Sequence, residues 1–201
     1  MTALSDMGHA AAEAGAWSHM DALELEFLAL PMPDRADLAF LREAGVPERA
    51  LTAHATMTKV APVSIDRGRF EFQPGGEPMF VNAVRAFTSE VQDLVAWRPS
   101  PSVKLRLLGR SFALGEAAID MAATYFADNA LQVWRSPLDW LRAEGRGIVI
   151  VDRAAVHDRL RDVPRIAGED LEHSRQLRDA LVPPRPTCRV VLHKTTMEKA
   201  A

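Results

Sequence analysis

The stretch Ser136–Ala167, SPLDWLRAEGRGIVIVDRAAVHDRLRDVPRIA, constrains the fold more tightly than any other part of the chain. Ser136 suits a helix N-cap, Pro137 suits the first helical position, and Asp139 stands three residues after the cap. Gly145 can end that helix in a left-handed conformation. Ile148 to Val151 is then an unbroken run of four β-branched residues, closed by Asp152. A second amphipathic helix and a short strand around Arg165 to Ala167 follow. Helix, strand, helix, strand is the order of an α/β layer.

The rest of the chain predicts an α/β (or α+β) protein: a mixed sheet with flanking helices and an N-terminal helical extension. Residues 1–17 read as an Ala-rich mobile tail, and Met20 offers a second start. A single α/β domain is expected over residues 18–193. It opens with a helical extension over 18–58, continues as mainly antiparallel strands plus one helix over 59–134, and ends as the α/β layer over 135–193. Residues 194–201 read as a frayed tail.

Within the extension, Ser18 and Asp21 have capping-box spacing ahead of Met20, Leu23, Phe27 and Leu30. Asp34 to Ala44 is a second helix, stopped by Gly45, and a third runs from Pro47 to about His54. Two helices around a glycine turn invite a helix-turn-helix reading. Charge opposes it: Arg35, Arg42, Arg49 and Lys59 are matched by Asp34, Asp37, Glu43 and Glu48, which leaves no net attraction for phosphate.

Period-two patterning follows. Val60 to Ile65 and Arg69 to Phe72 form a hairpin about Asp66-Arg67-Gly68. Met79 to Phe87 fits strand or helix, whereas Val91 to Trp97 and Val103 to Leu108 read as strands. Glu116 to Ala127 reads as a helix, Leu131 to Trp134 as a short strand, and the segment from Leu171 to Leu181 as a helix with a Leu171, Ser174, Leu177, Leu181 stripe. Arg189 to His193 reads as a terminal strand.

Function classes narrow by composition. A net charge of −3 gives no global field toward nucleic acid or anionic lipid. Cys188 is the only cysteine, so an intramolecular disulfide is impossible and a thiolate metal cluster cannot form within one chain. No apolar run approaches the ~20 residues that span a bilayer, and the N-terminus has no secretion-signal pattern. A cytoplasmic location without membrane contact is the expectation.

Asp152 is the first candidate for chemistry, because open α/β sheets place ligands at the carboxyl ends of their strands. Glu169 and Asp170 follow the next expected strand. If those strands are adjacent and parallel, three carboxylates gather and can hold Mg²⁺ or Mn²⁺ through oxygen ligands. The structural alternative is that Asp152 and the Glu169-Asp170 pair cap helices. The histidines His9, His19, His54, His157, His173 and His193 contain no i, i+4 pair and read as packing or surface residues. Pro74-Gly75-Gly76 and Gly145-Arg146-Gly147 match no nucleotide fingerprint. Seven arginines lie between Arg135 and Arg165 against five interleaved acids. Among them Arg135, Arg142 and Arg146, with Trp134, are candidates for a single-strand nucleic-acid surface, against the alternative of an ion-paired helix face.

The string GIVIVDRA around Asp152 resembles the strand that carries the paired aspartates of Toprim domains, the metal-dependent domains of primases, topoisomerases and some nucleases. The resemblance implies a degenerate relative with divalent-metal phosphotransfer or nuclease chemistry. Arg153 and Ala154 stand where that family's Asp-x-Asp spacing would continue. A second resemblance rests on EVQDLVAWRP, VWRSPLDWLRAEGRGIVIVD and RIAGEDLEHSRQLRDAL, with Trp134 to Leu141 at its centre. These runs resemble a group of alphaproteobacterial prophage and plasmid proteins, often encoded near replication genes. That resemblance implies a non-catalytic accessory or interaction protein of a mobile element, with a protein partner or self-association and no cofactor. It supplies no site residues.

Overall fold

The structure is a computed structural model that describes residues 22–183. The expectations for residues 1–17, the Ser18–Asp21 cap, Cys188, the strand at 189–193 and the tail from 194 lie outside the described residues. The described chain is α/β and holds two sheets, a closed five-stranded barrel and a four-stranded mixed sheet.

Helix α1 (Ala22–Ala29) is followed by α2 (Arg35–Glu43) and α3 (Glu48–Thr52). Asp34 caps α2 by accepting from the Ala36 and Asp37 amides, and Asp37 returns the bond to the Asp34 amide, completing a capping box. Helix α3 has only five residues. Leu41, Val46 and Ala50 are buried in one cluster with Trp97 and Trp140. The α2–α3 pair is therefore an αα-hairpin whose apolar face is spent on the core.

The barrel strands are β1 (Thr58–Asp66), β2 (Arg69–Phe72), β3 (Glu77–Arg85), β4 (Val91–Arg98) and β5 (Val103–Arg106), in the order β1-β2-β5-β4-β3. Asp66 pairs with Arg69, and Arg67 and Gly68 both have positive φ (47° and 80°), as a two-residue hairpin loop requires. A parallel contact, Arg69 with Arg106, closes the barrel, and the other strand pairs within it are antiparallel, in keeping with the mainly antiparallel strands expected there. The segment Met79–Phe87, ambiguous by periodicity, is strand β3. Both its faces are apolar because both are covered. Met79, Val81 and Ala83 face the barrel interior with Phe70, Leu94 and Leu105, while Phe80 and Val84 face the second cluster with Val95 and Trp97. Helix α1 plugs the barrel with Leu23 and Phe27. The buried Lys59 ammonium donates to the Leu28 and Leu30 carbonyls at 3.0 and 2.9 Å and satisfies the end of that helix.

The second sheet contains β6 (Ala113–Leu114), β7 (Leu131–Trp134), β8 (Ile148–Ile150) and β9 (Ile166–Ala167), in the order β6-β8-β7-β9. Strand β8 is antiparallel to β6 and parallel to β7, and β7 is parallel to β9. Helices α4 (Pro137–Arg142), α5 (Val156–Leu160) and α6 (Leu171–Ala180) connect and flank these strands. Alternation sorts the side chains. Leu114 and Val149 join α4 and the barrel, whereas Ala113, Leu131, Val133 and Ile148 pack with Val156, Leu160 and Leu177. Ile148 and Val149 are fully buried.

Two expectations need correction. Glu116 to Ala127 is not one helix but two 3-10 segments, Glu116–Ile119 and Ala122–Asp128. Neither has a side-chain cap, Ala127 is left-handed at φ 51°, and the Glu116 carboxylate turns back to the Phe112 amide at 2.8 Å. In α6 the buried positions are His173 and Leu177, and Leu171 is exposed. The stripe starts two residues later than the leucine spacing suggests.

Candidate functional site

Strand β7 lies between β8 and β9, and its outgoing connection through α4 leads to one neighbour while the connection from β8 leads to the other. Such a reversal opens a crevice at the carboxyl ends of parallel strands. The cavity found there has a volume of about 210 Å³. Val133, Ile150, Val156 and Leu177 form its apolar part, and Lys104, Arg135, Arg153, His173 and Gln176 its polar part.

Local signals place these groups. Ser136 caps α4, and its hydroxyl accepts from the Asp139 amide at 3.2 Å. Asp152 stands two residues after β8 and caps the 3-10 turn Arg153–Ala155, accepting from the Ala154 amide at 3.1 Å. Arg153, the first residue of that turn, lines the cavity. Asp170 caps α6, accepting from the His173 amide at 2.7 Å. Lys104 reaches in from β5 of the barrel and donates to the Arg135 carbonyl at 2.8 Å.

The carboxylates are engaged by arginines. The Arg106 guanidinium donates to Asp152 at 3.0 Å and to the Ser111 carbonyl at 2.8 Å. Arg135 takes the other two acids. It donates to Glu169 at 3.0 Å and grips Asp170 through both terminal nitrogens, at 2.6 and 2.9 Å. Arg135, and then the His173 amide, hold the Asp170 carboxyl far below the usual carboxylate range. The same pairing raises the Arg135 guanidinium. Among the described residues no group of three or more His, Cys, Asp or Glu side chains is placed to hold a metal ion. Asp152 is thus tied to the barrel, while Glu169 and Asp170 belong to the Arg135 clamp.

The cationic groups are less satisfied. Among the described residues, neither Lys104 nor Arg153 forms an ion pair. Burial, and then repulsion by Arg153, lower the Lys104 ammonium. His173 is buried, and its Nδ1 accepts from the Glu169 amide at 3.3 Å. Burial, and then Arg135, push its imidazole below the ordinary value. The neutral ring therefore carries its proton on Nε2.

The proposed nucleic-acid group divides. Trp134 and Arg135 border the cavity, whereas Arg142 and Arg146 line a separate depression that Trp134 also borders. All four are engaged within the fold. The Trp134 indole donates to the Arg146 carbonyl at 2.7 Å, Arg142 pairs with Asp139 and donates to the Ala44 carbonyl, and Arg146 pairs with Glu144.

Sequence reasoning missed the convergence of Lys104, Arg153 and His173. Lysine is scarce in this arginine-using chain, and Lys59 and Lys104 are its only occurrences between residues 22 and 183. Both donate to backbone carbonyls, a task suited to a point donor on a flexible stem. Among the described residues no helix is long and apolar enough to cross a membrane. Comparison with protein-family models, with curated proteins and with solved structures finds no match to this chain.

Proposed function

We propose that the protein is a non-catalytic accessory protein, of the mobile-element type that its sequence resembles, and that it acts by binding a ligand in the cavity at the carboxyl edge of β7 and β8. The observation that carries this reading is the Arg135 clamp on Glu169 and Asp170. A metal ion at those acids would have to displace a bidentate arginine pair and leave its charge uncompensated. Asp152 has its own arginine. The groups left with bonding capacity are donors and cations, which suit an anion and not a metal ion.

The test is thermal unfolding of the full chain with a panel of small organic anions and, separately, with Mg²⁺ and Mn²⁺. Saturable stabilisation by an anion, without its chemical conversion, is expected; at about a hundred times its Kd a ligand adds about 2.7 kcal/mol. Metal-specific stabilisation that Asp152→Asn abolishes, together with hydrolysis of a nucleic-acid or phosphodiester substrate, would replace this reading by the metal-dependent one.

A further inference from the structure

Lys104, Arg135 and Arg153 against Glu169 and Asp170 leave the cavity one net positive charge. Arg135 is more than neutralised by Glu169 and Asp170, and the surplus carboxylate charge attracts Lys104 from a distance, whereas Lys104 and Arg153 themselves form no ion pair among the described residues. They come from different elements, the barrel strand β5 and the turn after β8, and they meet at a concave site with an apolar floor. His173 adds a buried donor. With Nδ1 accepting from the Glu169 amide, its Nε2–H is the ring group left for a ligand. Three donor groups converging from three elements, two of them cationic, match an anionic group with three acceptor oxygens. A phosphate monoester has three such oxygens, and about two negative charges near neutral pH. A carboxylate has two oxygens, and would leave one of the three donor groups without its own acceptor oxygen. At about 210 Å³ the cavity lies below the roughly 300–1,000 Å³ of sites that enclose drug-sized ligands. It takes one charged group and a short carbon skeleton, not an entire nucleotide.

We propose, resting on the binding role assigned above, that this cavity binds a small organic phosphate monoester, with the phosphate held by Lys104, Arg153 and His173 and the carbon skeleton on Val133, Ile150 and Leu177. Arg135 is a positioning residue: it fixes the α6 start that presents His173.

Calorimetric titration of the full chain at low salt tests this, with phenyl phosphate, glycerol phosphate, inorganic phosphate, phenyl sulfate and benzoate as probes. Phenyl phosphate binds at one site; benzoate, with one acceptor oxygen fewer, and phenyl sulfate, with one negative charge fewer, bind at least about tenfold more weakly. Affinity for phenyl phosphate falls as pH drops through about 6, where the monoester gains a proton. Phenyl sulfate shows no such fall. Arg153→Gln weakens phenyl phosphate about tenfold or more and does not lower the unliganded unfolding temperature, because Arg153 has no ion pair to lose and its charge only repels Lys104. Benzoate binding as tightly as phenyl phosphate would overturn the phosphate assignment while leaving the binding role intact. Phenyl phosphate binding that Arg153→Gln does not weaken would overturn the assignment to this cavity. Absence of saturable binding by every anion would overturn both. Binding of a 5′-phosphorylated oligonucleotide without binding of the small monoesters would replace the small-molecule ligand by a strand end.

Discussion

Asp93 lies wholly buried on β4, and every donor it needs comes from close by. One carboxylate oxygen accepts from the Leu94 and Leu108 amides, both at 2.8 Å. The other accepts from the Arg110 amide at 2.8 Å, the Ser111 amide at 3.0 Å and the Ser111 hydroxyl at 3.1 Å. This carboxylate holds the passage from the barrel to the second sheet. Asp93→Asn turns an amide NH₂ toward backbone N–H groups, so urea unfolding should show a loss of about 3 kcal/mol. A pH effect at the same scale belongs to His173. Its imidazole is held below the ordinary value of about 6.5 by burial and by Arg135, so the unfolded chain takes up a proton that the native state refuses. The stability it contributes is complete above about pH 6.5 and is lost as pH falls from there through the lower native value. Unfolding free energies of the wild type and His173→Asn should converge as pH falls below 6.5. Parallel curves would remove His173 as the cause. His173 reads as an isolated packing residue because Arg135, which grips the Asp170 cap of its helix, reaches that cap only through the fold.

At the scale of elements, the helix–strand unit around β8 was legible because its signals are local. Ser136 and Pro137 start α4, and the Gly145 amide closes it on the Trp140 carbonyl at 2.9 Å. Glu144 also takes a left-handed conformation, at φ 59°, so the turn out of the helix spans two residues and not one. Gly147 marks the entry into the strand, and the structure shows why glycine is needed. Its φ is +84°, and a Cβ there would lie 2.2 Å from the Gln132 carbonyl oxygen of β7. Gly147→Ala must push β7 and β8 apart or strain the backbone. A loss of more than about 2 kcal/mol in denaturant unfolding is expected. Glu116 to Ala127 failed as a helix for the opposite reason. Its small residues bury little apolar area, and Tyr125 bonds back to the Ile119 carbonyl at 2.8 Å, folding the segment on itself.

At the scale of the whole molecule, barrel and sheet share one wall. Phe80 and Trp97 of the barrel, with ring centroids 4.8 Å apart, lie in the same cluster as Val149 of β8 and Trp140 and Leu141 of α4. Substructures that share a buried cluster lose it together. Far-UV circular dichroism and tryptophan fluorescence should therefore trace one coincident unfolding transition. Trp97→Ala should lower it by about 3–5 kcal/mol without splitting it. Two separated transitions would show that barrel and sheet unfold independently.

Caps, helix stops, the β-branched run and the hairpin turn were readable along the chain, because each depends on residues within a few positions of one another, and they sufficed for the α/β class and for the place of Asp152. Closure of the barrel, the capture of Glu169 and Asp170 by Arg135, and the arrival of Lys104 beside Arg153 join positions 30 or more residues apart. No pattern in a single sequence encodes such contacts. They follow from which surfaces bury against one another, and in this protein that burial turned a candidate acidic edge into a cavity lined by donors and cations.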